Sequence, residues 1–140
     1  MTNGLFMFVL LVGLFALARS GLDYWTLYQI SYGAFSLMAA MISLTFLWLW
    51  AGRQTPLALG MSFSWAGAAS VMGWWWVYTA FGQPAQLDQS QLLFVFLSLY
   101  FVGAFMHFSV ILERAHAPRA AVLIPVCASL VISILVHTLI

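Results

Sequence analysis

Residues 56–81 read PLALGMSFSWAGAASVMGWWWVYTAF, and the order of small and large side chains in this stretch decides how the chain folds. No charge interrupts it. Thr55 and Pro56 open it as an N-cap followed by proline at the first helical position, where the missing N–H is no loss. At about 100° per residue, Ser62, Ala66, Ala69 and Gly73 share one narrow face, and Gly60, Ser64 and Gly67 share another near the opposite side. Helices in lipid pack through close approach of small residues and through hydrogen bonds, because lipid tails are as apolar as the side chains. Two small faces therefore predict two close neighbours and a central helix. Trp74, Trp75 and Trp76 fan across about 200°, so at least one of them packs against protein or a bound lipophile.

The same apolar texture continues on both sides. Breaks at 19–23, 51–55, 82–89 and 113–119 leave apolar segments at 4–18, 24–50, 56–81, 90–112 and 120–140. Crossing the hydrocarbon of a bilayer takes roughly 20 residues of helix. The expected fold is an all-α integral membrane protein: five transmembrane helices, four full-length and a short first one, joined by short loops. The whole chain, 1–140, forms that single transmembrane domain, with no soluble domain. Composition agrees, with 65% hydrophobic residues, 5% charged and a mean hydropathy of +1.05. Soluble domains carry about 25% charged residues. Segment 24–50 is long enough that it must tilt or run its Tyr24 and Trp25 end into the headgroup zone.

The first segment also has to be weighed as a signal peptide, because Ala16, Leu17 and Ala18 imitate a small-residue cleavage site. Residues 1–3 carry no Lys or Arg, so an uncleaved span is expected. Asp88 with Gln91 resembles a capping box for segment 90–112, Pro118 is placed to start the last helix, and Pro125 is expected to kink it. Orientation follows the arginines. Arg53, Arg114 and Arg119 fall on one side of five alternating spans and Arg19 on the other, which puts the N-terminus in the cytoplasm and the C-terminus outside. The aromatic belts agree: Tyr24, Trp25 and Tyr28 share the outer interface with Trp74–Trp76 and Tyr78, while Trp48 and Trp50 lie beside Arg53. The expected location is the bacterial inner (cytoplasmic) membrane.

Polar residues inside the spans are few and periodic. Gln29, Tyr32, Ser36, Ala40 and Ser43 form one stripe; Tyr100, Gly103, Ala104, His107 and Arg114 form another. Both should face the bundle, since a polar group among acyl chains stays unsatisfied. Their expected role is interhelical hydrogen bonding. His107 is the candidate for cofactor binding, as a single axial ligand or a hydrogen-bond donor. A bis-histidine haem within the chain is not expected: at 1.5 Å per residue, His107 and His137 differ in depth by roughly 15–20 Å, and His116 is too far along. The composition leaves room for a bound lipid, quinone or pigment.

No metal site is expected. Cys127 stands alone, no His-x-x-x-His pair occurs, and Asp23, Asp88 and Glu113 are the only carboxylates, all at span ends. Glu113 beside Arg114 reads as an interfacial ion pair, and no catalytic residue is assigned. The net charge of +1 carries no cationic cluster, so nucleic acid is excluded as a partner. The partners expected are the lipid bilayer and other membrane subunits. The leading functional expectation is a structural, non-catalytic accessory subunit packing within a larger respiratory, photosynthetic or transport complex. The alternative is a small homo-oligomeric channel or transporter for a neutral or lipophilic solute; an intramembrane lipid-modifying enzyme comes third.

Overall fold

The computed structural model describes residues 2–116 and 118–139, apart from the side chains of Thr2, Asn3, Asp88 and Arg119. It is helical, with no strand among the described residues: α1 (Thr2–Gly21), α2 (Tyr24–Arg53), α3 (Pro56–Ala80), a single turn α4 (Ala85–Asp88), α5 (Leu92–Arg114) and α6 (Leu123–Leu139), the last entered through a 3-10 turn, Arg119–Val122. Four stretches are long and apolar enough to cross a membrane: Gly4–Gly21, Tyr24–Arg53, Leu92–Arg114 and Ala120–Leu139. The central stretch Pro56–Ala80 is not among them, although it is 25 residues long. Its glycines, serines and tryptophans lower its hydropathy, which a helix walled in by two others tolerates.

The short first helix needs correction. The charge at Arg19 predicts a break, yet α1 runs 20 residues to Gly21. Leu22 N–H still donates to Ala18 O at 2.9 Å, and the Ser20 hydroxyl donates to Leu17 O at 2.6 Å. An exposed arginine at the end of a helix is compatible with helical hydrogen bonding, so the real stop is the Gly21–Asp23 turn. There Asp23 caps α2, its Oδ2 accepting from the Thr26 N–H at 3.2 Å. This holds the exposed Asp23 carboxyl below its ordinary range, chiefly through hydrogen bonds from Thr26.

α2 ends on Gln54 in the left-handed region (φ 52°), whose N–H returns to Trp50 O. Thr55 occupies the N-cap of α3 with Pro56 following it, but its hydroxyl makes no capping bond. α5 starts at Leu92 behind Gln91, and Ser90 Oγ accepts from Leu92 N–H at 3.3 Å. The expected capping box fails because Asp88 ends the α4 turn instead; its side chain lies outside the described residues. Pro118 begins the 3-10 turn, and Pro125 falls within the first turn of α6, where no intrahelical N–H bond is lost. Pro125 therefore does not kink α6.

α3 packs along its length against α2 on one side and α5 on the other. α1 touches α2 only lightly, and α6 joins the rest chiefly through the 3-10 turn. The interior is made of small residues: Ala39, Ala58, Ala69, Ser43, Ser62 and Ser64 are buried along with Val122, and no large side chain is fully buried. Most bulky apolar side chains face outward, and α6 buries none of its residues.

Candidate functional site

The two small faces of α3 meet different partners. Toward α2, the Ser43 hydroxyl donates to Ser62 O at 2.9 Å and the Ser62 hydroxyl donates to Ser43 O at 3.0 Å. About two turns along, the Ser36 hydroxyl donates to Ala69 O at 2.9 Å, with its Oγ 2.8 Å from where a Cβ on Gly73 would stand. Gln29 Nε2 reaches Thr79 O at 3.4 Å. The order of these pairs makes α2 and α3 antiparallel. Gly33, which the sequence reading passed over, seats the Trp76 indole: an added Cβ would stand 2.7 Å from the ring. Ala66 lies on the same face and is half-buried.

Toward α5 the approach is backbone to backbone. A Cβ on Gly60 would stand 2.7 Å from the His107 backbone nitrogen; one on Gly67 would collide with the Tyr100 backbone, and one on Gly103 with the Ser64 backbone. The seam Gly60–His107, Ser64–Gly103, Gly67–Tyr100 is again antiparallel, so Arg53 and Arg114 sit at the same end of the bundle. Glycine is required here by contact with the neighbouring helix, since each position leaves no room for a side chain.

Tyr32, at the edge of its stripe, departs from the others. Its ring packs on Tyr28 (centroids 4.2 Å apart) and borders an apolar cleft of about 570 Å³ between α1 and α2, beside Leu11 and Phe15. A phenol ring has no space in a seam built for serine and glycine. Tyr100 keeps its backbone on Gly67 while its ring remains exposed. Glu113 and Arg114 are both exposed and form no ion pair with each other, successive helical positions pointing about 100° apart. Of the consecutive tryptophans 74–76, Trp76 packs on Gly33, Trp75 is exposed, and Trp74 stacks on Tyr78 at 5.0 Å with a buried Nε1 that has no acceptor among the described residues. Arg119's side chain lies outside the described residues.

Between the two seams, one flank of α3 is left open. Met61, Ser64, Trp65 and Ala68, spaced i, i+3, i+4 and i+7, floor a cleft of about 350 Å³ walled by Phe35 of α2 and by Tyr100 and His107 of α5. Ser64 Oγ lies 3.5 Å from His107 Nδ1, a long hydrogen bond. The His107 ring also packs against Phe108, with centroids 4.4 Å apart. Spacing in the sequence points to Ser64, Tyr100 and His107 but not to Phe35, Met61, Trp65 and Ala68; for the last three, helical spacing on the third flank of α3 was the available signal. Among the described residues no three His, Cys, Asp or Glu side chains converge on a metal position, and Cys127 is exposed. Chemically the cleft is lined by aromatic surface, a thioether, the hydroxyl-bearing Ser64 and Tyr100, and one imidazole. Compared with family models, with curated proteins and with solved structures, the chain finds no match.

Proposed function

We propose that this chain is a five-span integral membrane protein of the bacterial inner membrane, N-terminus in the cytoplasm and C-terminus outside, serving as a non-catalytic subunit of a larger membrane complex. Four apolar helices support insertion, and α3 supplies the fifth span because its neighbours shield it. α2, about 45 Å long at 1.5 Å per residue, exceeds a hydrocarbon core of about 30 Å and reaches into the headgroups. Arg53 and Arg114 at one end of the bundle support the orientation.

The observation that carries the subunit reading is how few intramolecular contacts α1 and α6 make among the described residues. Both are apolar and largely exposed, and they are the surfaces a neighbouring subunit would cover. The channel reading is weaker, because Gln29, Ser36 and Ser43 donate to α3 carbonyls across the α2–α3 seam and so do not line an open path. Extraction in mild detergent followed by native mass determination tests the proposal. A stable assembly with other polypeptides is expected; a clean monomer or homo-oligomer refutes the subunit role.

A further inference from the structure

The geometry points to the His107 cleft as a binding site for a single-ring, quinone-like lipophile that accepts a hydrogen bond through a ring carbonyl. This rests on the membrane reading above and names a ligand class for its most polar intramembrane position. The two side chains are mounted on closely apposed backbones: the His107 backbone lies against Gly60, and the Ser64 backbone against Gly103. Nδ1 is the one hydrogen-bond partner of the Ser64 hydroxyl among the described residues, so we assign Ser64 as the donor; that assignment places the imidazole proton on Nε2, which has no protein partner among the described residues. A donor in apolar surroundings goes unsatisfied unless an occupant accepts from it.

Size and lining select the occupant. The cleft, about 350 Å³, lies at the small end of the range of roughly 300–1,000 Å³ that holds small ligands. One ring fits between Phe35, Trp65 and Tyr100, whose faces favour offset or edge packing. A tetrapyrrole needs a longer slot and a free axial approach, whereas the His107 ring is held between Ser64 and Phe108. The open side of the cleft admits a molecule from the lipid, and its tail can remain there.

The full chain in phospholipid nanodiscs, with tritiated decyl-benzoquinone as probe and empty discs as the partition blank, tests this. Expected are saturable binding at one site per chain and no competition by decylbenzene, which lacks the acceptor. His107→Phe should weaken binding about fivefold, the worth of one ordinary hydrogen bond, and Ala68→Trp, which fills the cleft, should abolish it. If His107→Phe does not fold, Ala68→Trp and the histidine ¹⁵N spectrum of the unmutated protein decide: the probe should shift His107 and leave His116 and His137 in place. No excess over empty discs, equal competition by decylbenzene, or binding unaffected by Ala68→Trp overturns the inference. A chain that enters discs but binds nothing removes this inference alone; one that cannot enter them removes the membrane reading as well.

Discussion

The α2–α3–α5 core and the outer helices α1 and α6 are both apolar, yet they are built on opposite plans. In the core, glycine, alanine and serine lie inside and large side chains lie outside. In α1, glycines at 4 and 13 face open space, and a Cβ at either meets nothing within 4 Å. The same residue type is therefore structural in one region and incidental in the other. Contact with a neighbouring helix makes the difference; membership in an apolar helix does not.

Glycine substitution should break that contrast most visibly. Gly103→Leu drives a side chain into the Ser64 backbone and should separate α3 from α5, costing about 3 kcal/mol or more by the scale of overpacked cores. Gly13→Leu should leave stability unchanged within about 0.5 kcal/mol. Unfolding of both variants in mixed micelles with increasing dodecyl sulfate, followed by circular dichroism, measures the difference; equal midpoints would remove the seam's special status.

The serine pair gives a finer contrast. Replacing both Ser43 and Ser62 by alanine removes two reciprocal interhelical bonds, each of about 0.6 kcal/mol in lipid. The loss should therefore be near 1 kcal/mol, and a double-mutant cycle should show coupling. Ser129→Ala in α6, whose hydroxyl only returns to Val126 O in its own helix, should change little.

Two smaller effects belong to the connections. Gln54 holds φ 52° between α2 and α3, a conformation that costs a non-glycine residue about 1 kcal/mol. Gln54→Gly should accordingly raise the unfolding midpoint modestly. Asp23, between α1 and α2, has a carboxyl held below its ordinary range by Thr26. A depressed pKa stabilises the folded state above the unfolded value, about 3.9, and that contribution is lost as pH falls through the lower folded value. Asp23→Asn should flatten this acid limb in a helicity titration below about pH 4, and an identical limb in both proteins would count against the cap.

Legibility in the sequence varied with the kind of interaction. Charge positions located most connections, but Arg19 was misread as a stop because helices end where backbone bonding ends. Pro125 was misread as a kink because the start of the last helix was set three residues early. The two faces of α3 were readable from periodicity, since Ser62 and Gly60 differ in azimuth whatever surrounds them. Tyr32 was grouped with Ser36 on spacing alone, and its ring size, which spacing ignores, sent it to the α1–α2 cleft.

By itself the sequence determined the apolar helices, their rough limits and the presence of two small faces on residues 56–80. Helical period is local and requires no partner. Only the tertiary structure decided that α2 takes the Ser62 face and α5 the Gly60 face, and that α1 and α6 stay outside. It also decided that Ser64 meets His107 across an open flank. These depend on reciprocal close approach between residues 19 to 50 positions apart in the chain, which no single helix encodes alone.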